Sequence, residues 1–369
     1  MVLRVFGFSI LVTVLSVIVA AVYGGPQAVL LVVILGILEV SLSFDNAVIN
    51  ATVLERMSEF WQKMFLTVGI VIAVFGMRLV FPLVIVWATA GLGPTKALDL
   101  ALNPPADGAA NFPDGSPSYE TLITDAHPQI AAFGGMFLLM LFLNFVFEER
   151  DITWLSWIER PLARIGKLDQ ISVIVASVLL LLTAQFVADD DKVSTVMVAG
   201  VLGLITYITV NGLGALFNVE QEDGHSSSGP TQLAKATGKA GFFLFMYLEV
   251  LDASFSFDGV IGAFAITSDP IIIALGLGFI GAMFVRSITV YLVRKGTLAE
   301  YEHLEHGAHW AIGALAVILF ISIGVHVNEI VTGLVGVALI GAAFITSIIR
   351  NRRRDDDAID NDRSPVAVG

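Results

Sequence analysis

Five acidic residues lie inside stretches that are otherwise apolar: Glu39 and Asp45 within the run 28–53, and Glu249, Asp252 and Asp258 within the run 242–266. An ionised side chain at the centre of a hydrocarbon-spanning helix costs roughly 2.5 to 3.5 kcal/mol on the insertion scale, so the set costs on the order of 10 kcal/mol. Such residues persist when they are paired, protonated or bound to a cation. Four of the five belong to two matching stretches, "EVSLSFDNAVI" from Glu39 to Ile49 and "DASFSFDGVI" from Asp252 to Ile261, which both read acid, any, Ser, apolar, Ser, Phe, Asp. Six positions separate the two acids of each stretch, about 120° around an unbroken helix, so one ion could not readily touch both. A local break at Ser-x-Ser would free backbone carbonyls to join the carboxylates. The expected inner shell is Asp45, Asn46 and Asp258, with Glu39, Asp252 and the hydroxyls of Ser43 and Ser256 in or beside it, and Glu249 further out. Oxygen ligands of this kind suit Mg²⁺, Ca²⁺ or Mn²⁺. The chain has no cysteine, which speaks against a soft-metal site. A proton pathway would use the same carboxylates.

The elements that must hold these residues follow from composition. A chain of 369 residues with 56% hydrophobic and 14% charged residues and a mean hydropathy of +0.84 cannot hide its apolar side chains in one soluble core. Its apolar windows are long enough to cross ~30 Å of hydrocarbon as helices, whereas few runs show the alternation of barrel strands. The fold class is all-α, a polytopic membrane protein with about ten spans: 6–23, 28–53, 64–90, 130–147, 171–187, 193–213, 242–266, 271–293, 310–325 and 330–349. The first is read as a retained helix rather than a signal peptide, because its apolar run exceeds the usual ~7 to 15 residues. Arg56, Lys63, Arg150, Arg160, Arg164, Lys167, Lys235, Lys239, Arg294, Lys295 and Arg350 then fall on one side, leaving Lys96 and Lys192 on the other. By the excess of positive residues in cytoplasmic loops, both termini are expected in the cytoplasm of a plasma-membrane protein. The bilayer and a metal ion are the expected partners. No nucleic-acid patch is present, and the formal net charge is -13.

The match between the two acidic stretches extends downstream. Each is followed by a helix with one embedded arginine, Arg78 in "GMRL" and Arg286 in "FVRS", and then by "HPQIAAFGG" from His127 or "HGAHWAIGA" from His306. Both arginines are candidate partners of the acids. With the spans above, the first motif runs outside to inside and the second inside to outside. That is an inverted three-helix repeat, a recurrent plan of secondary transporters whose sites lie at the midplane. The chain divides into an N-terminal helix (1–27), a first repeat (28–149), two additional helices and a linker (150–239), a second repeat (240–329), and a last helix with a charged tail (330–369). The segment 91–129, rich in Pro, Gly and Asp, reads as a solvated outer loop.

"LEVSLSFDNAVINA" from Leu38, the later "GMR", and "GGMFLLMLF" from Gly134 resemble the TerC family of membrane proteins, grouped with the LysE-type transporters, in its branch of unknown function. The resemblance implies inverted three-helix repeats and efflux of Mn²⁺ or another divalent cation, with tellurite resistance as the family's historical label. The motif carboxylates fall on Glu39 and Asp45 with the amide on Asn46, and in the second half on Asp252 and Asp258. There the chain departs from the pattern, with Gly259 in place of the amide.

The expectation is a divalent-cation carrier working by alternating access, Mn²⁺ outward, with proton exchange as a driving cycle because carboxylates that release metal can accept H⁺. It is not expected to be an enzyme or to hold a permanent cofactor. Two rivals use the same residues: an assembly or stress-response subunit without transport, and an intramembrane aspartyl protease with Asp45 and Asp258 as its dyad. "EHLEHGAH", Glu302 to His309, sets His303, His306 and His309 three residues apart. It reads as a solvated juxtamembrane loop, with metal binding as the minority alternative.

Overall fold

The computed structural model describes residues 2–80, 83–84, 86–87, 91–105, 109–222, 236–267, 269–295, 301–325, 327 and 329–363. Among the predicted site residues, the side chains of Asp45, Ser256 and Asp258 lie outside the described residues, although their backbones are helical.

Hydrocarbon offers no partner for backbone N–H and C=O groups, so apolar runs of this length close their hydrogen bonds internally as helices. The chain is all-helical accordingly: α1 (Val2–Leu42), α2 (Phe44–Glu55), α3 (Glu59–Met64) leading into π-helical segments Phe65–Gly69 and Ile72–Val80, α4 (Pro94–Leu102), α5 (Tyr119–Asp125) and α6 (His127–Phe147). There follow α7 (Ser156–Ile165), α8 (Ile171–Phe186), α9 (Val193–Glu222), α10 (Gly238–Ile266), α11 (Pro270–Ile273) with a π-helical segment Ala274–Gly281, α12 (Ala282–Lys295), α13 (Leu304–Ser322) and α14 (Glu329–Arg363).

Seven helices among the described residues are long and apolar enough to cross a membrane: Val5–Val40, Glu59–Gly76, His127–Phe147, Val193–Gly212, Ile271–Val293, Leu304–Ser322 and Val331–Arg352. The sequence offers ten windows, and the difference has local causes. The first two windows share α1, which is broken at Gly24 and Gly25, the latter at φ 68° in the left-handed region that glycine tolerates, with Pro26 opening the next turn. The α8 window is only 16 residues long, and the 29 residues of α10 carry Glu249, Asp252 and Asp258.

Two apolar cores organise the bundle. One joins α6, α9, α10 and α13 around Phe137, Leu138, Leu251, Ile312 and Leu319. The other joins α1 to the Ala274–Gly281 segment around Val32, Leu35, Leu277 and Ile280. The small residues there set the spacing: a Cβ on Gly276 would stand 2.6 Å from the Leu35 Cβ, so the two backbones approach as closely as membrane helices do at glycine.

Residues 91–129 differ from a solvated loop. Helices α4 and α5 pack Ala97, Ala101, Tyr119 and Ile123 into the second core, and Ser118 caps α5 by accepting from the Thr121 N–H at 3.1 Å. The alternation of small apolar residues with Pro and Asp disguises this amphipathic cover.

Candidate functional site

The site is built where the first acidic stretch breaks. Helix α1 ends at Leu42, Ser43 takes a turn conformation (φ -100°, ψ 14°), and α2 begins at Phe44, but the kink frees neither the Glu39 nor the Ser43 carbonyl, which accept from the Ser43 N–H at 2.9 Å and the Ala47 N–H at 3.1 Å. The second stretch stays within continuous α10. The two stretches meet. Asn46 Nδ2 donates to Asp252 Oδ1 at 2.6 Å, and Gly259 packs against Glu39, where a Cβ would stand 2.7 Å from the Glu39 Oε2.

Arg78 lies at the centre of this meeting. Its guanidinium donates from Nη2 to Glu39 Oε1, Nη1 lies 4.0 Å from Asp252 Oδ2, and Nη1 also donates to the Ala73 carbonyl at 2.8 Å. Ser43 Oγ adds a donor to Glu39 Oε1 at 2.8 Å. Glu39 is 1% exposed, Arg78 3% and Asp252 5%, which makes this a buried, charge-assisted network rather than a surface pair. Its members come from both acidic stretches. Arg78 sits in the π-helical segment Ile72–Val80, five residues after Ala73, and its side chain turns back onto that carbonyl.

Beside the network lies a cavity of about 30 Å³, enough for a water or a small ion, walled by Asn50, Gly69, Ala73, Arg78, Asp252 and Thr289 among others. Two polar atoms there lack hydrogen-bond partners: Asn50 Oδ1 and Arg78 Nε. Arg286 also lines the cavity, and its Nε donates to the Leu66 carbonyl at 3.0 Å within the Phe65–Gly69 segment. It thus borders the same cavity as Arg78 and Asp252. Glu249 stands apart, one turn before Asp252. It is 4% exposed, neither carboxyl oxygen has a hydrogen-bond partner, and Oε1 abuts Gly69, where a Cβ would stand 2.6 Å away.

The structure therefore brings Glu39, Ser43, Asn46, Arg78 and Asp252 into contact and sets Glu249 and Arg286 around them. Among the described residues, no group of three His, Asp or Glu side chains is arranged to hold a metal ion. Glu39 and Asp252 are both engaged by Arg78, so they offer a cation site only when the guanidinium lets go. Sequence reading missed Asn50, Gly69, Thr289 and Gly281. The last packs against the Glu39 side chain, with no room for a Cβ. Gly259 did leave a signal, as the departure from the amide of the first motif; the structure supplies its reason, room for the Glu39 carboxylate.

The histidine cluster is a correction. His303, His306 and His309 are 8%, 4% and 7% exposed, and the last two lie inside α13, because the helix begins at Leu304 rather than near Trp310. They do not converge on one point. His303 Nε2 faces Arg350 Nη1 at 3.0 Å, His306 Nδ1 lies 3.2 Å from Glu159 Oε1, and His309 hydrogen-bonds the Glu305 carbonyl and stacks on Phe145 at 3.6 Å. Glu159 also accepts from Trp310 Nε1 at 2.9 Å and from the Trp154 N–H at 3.0 Å. Burial pushes its carboxyl up, but the hydrogen bonds from His306 and Trp310 outweigh that and hold it at about 2. The cluster is a structural clasp tying α7 to α13.

The chain belongs to the family described as "Protein of unknown function (DUF475)", whose model matches residues 44–354. No curated protein and no solved structure matches it.

Proposed function

We propose that this membrane-embedded helical protein is a secondary transporter of a divalent cation, with Mn²⁺ carried outward by alternating access as the reading that the TerC resemblance favours. The observation that carries it is the buried guanidinium of Arg78, bonded to Glu39 and 4.0 Å from Asp252, at the junction of two matching acidic stretches. In an apolar surrounding two carboxylates need a cation, and here a tethered one occupies the position. An arriving divalent ion carries twice the charge. It would take Glu39 and Asp252 from Arg78, with Asp45, Asp258 and Asn46 as the further oxygen donors. The adjoining cavity, walled by Asn50 and Thr289, is the antechamber.

Release reverses the exchange. Arg78 returns to Glu39, and protons taken up by the other carboxylates compensate the departing charge, which gives cation–proton exchange. The inverted repeat read from the sequence provides the rocking element that exposes the site to one side and then the other.

The test is ion-resolved uptake into liposomes containing the purified full chain. Uptake of Mn²⁺ with proton movement in the opposite sense, abolished in Asp45→Asn and in Asp258→Asn, is the expected result. Folded protein that moves no divalent ion returns the chain to the class of assembly or stress-response subunits.

A further inference from the structure

Helix α7 joins the end of α6 to the start of α8 and has two unlike faces. At 100° per residue, Glu159 points at about 200°, Arg160 and Arg164 at about 300° and 340°, and Trp157, Pro161 and Ile165 at about 0°, 40° and 80°. The Glu159 side is clamped to the bundle by His306 and Trp310. The rest forms an exposed arc about 140° wide, basic along one half and apolar along the other. Trp157 is 76% exposed, Ile165 46% and, just past the helix, Leu168 61%, while Arg160 and Arg164 are exposed without an ion-pair partner among the described residues.

The C-terminal end of the arc is held against the end of α6. Gly166 lies against the last residue of α6, where a Cβ would stand 2.8 Å from the Phe147 Cβ, and Lys167 Nζ pairs with Glu149 at 3.5 Å. Beyond Gln170 the chain enters α8, whose Ile174, Val178, Leu181 and Leu182 are exposed in the manner of a lipid-facing helix. The exposed apolar residues of α7 thus run on along the chain into those of a span. A short helix at that level, with a tryptophan and aliphatics beside arginines, has the chemistry of a helix lying in the membrane interface.

We propose that the Arg160–Arg164 edge and the adjoining Trp157–Pro161–Ile165 edge of α7, with Lys167 just past the helix adding positive charge, form a binding site for an acidic phospholipid. The guanidinium groups take the phosphate, and Trp157 and Ile165 rest on the upper acyl chain. Charge complementarity and continuity with the lipid-facing residues of α8 select this occupant. The proposal is independent of whether the protein transports an ion.

The experiment reconstitutes the full chain in liposomes of equal phosphatidylglycerol and phosphatidylcholine, with bromine on the acyl chains of one lipid or the other, and reads quenching of tryptophan emission. Trp157's share is obtained by difference from Trp157→Phe. The expected result is about twofold greater quenching of that share by brominated phosphatidylglycerol, a preference lost in the triple variant Arg160→Gln, Arg164→Gln, Lys167→Gln. Equal quenching by the two lipids in the wild type overturns the acidic-lipid site, even if the triple variant does not fold. No quenching by either lipid overturns the contact with the bilayer altogether and leaves a protein partner as the occupant of the arc.

Discussion

Glu39 is held by the Arg78 guanidinium and the Ser43 hydroxyl and hemmed in by the bare backbones of Gly259 and Gly281. The glycines matter because a methyl group has nowhere to go. Gly259→Ala is expected to push the carboxylate off Arg78 and cost about 1–3 kcal/mol, as overpacking of a well-filled interior does; a melting curve in detergent would read this, and an unchanged midpoint would deny the contact. Glu249 calls for the opposite expectation. Its two oxygens are buried without partners, so an ionised carboxylate there would be uncompensated. Glu249→Gln is therefore expected to leave thermal stability unchanged or raised, and a fall of more than about 1 kcal/mol would reveal a partner. The acids were legible in the sequence because charge in an apolar run stands out. The pairing was not: Arg78 is 39 residues from Glu39 and farther still from Asp252, and only the fold decides which acid a guanidinium meets.

At the scale of elements, the break at Gly24–Gly25 and the turn at Ser43 follow from residues visible in the chain, a Gly-Gly-Pro sequence and a Ser-rich motif. The π-helical segments Phe65–Gly69, Ile72–Val80 and Ala274–Gly281 do not, since no local residue pattern distinguishes them from α-helix. They lie in the helical regions that carry or precede Arg78 and Arg286. The histidine-bearing turn resembles a loop in the sequence, because Glu302, His303, Glu305, His306 and His309 crowd a short span, and their partners, Glu159 for His306 and Arg350 for His303, lie on distant helices. The clasp carries a pH dependence. Glu159's pKa is lowered to about 2 in the folded chain from an ordinary 4.5, so its contribution is fully present above about 4.5 and is lost as pH falls through about 2. The protection of α7 amides, taken relative to their intrinsic exchange rate at each pH, should fall across that window, and Glu159→Ala should show the lowered protection already at neutral pH. Equal exchange in wild type and variant at neutral pH would mean that the clasp does not hold the helix.

Across the whole molecule, several ion pairs gather at one end. Arg56 from the end of α2 and Arg150 just beyond α6 both approach Glu305, at 3.9 and 3.7 Å, and Arg350 pairs with Glu302 at 3.1 Å. At the other end, α4 and α5 close over the second core. Between them sits the network in which Arg78 engages acids from two stretches of chain. The proposed transport requires the guanidinium and a divalent cation to compete for the same carboxylates. The most direct measurement is the affinity of the purified protein for Mn²⁺ in wild type and in Arg78→Gln, compared at equal folded fraction. Competition predicts binding about tenfold tighter in Arg78→Gln, or about 1.4 kcal/mol, because the acids no longer have to give up a resident cation. Binding that is unchanged or weaker without Arg78 would contradict the account.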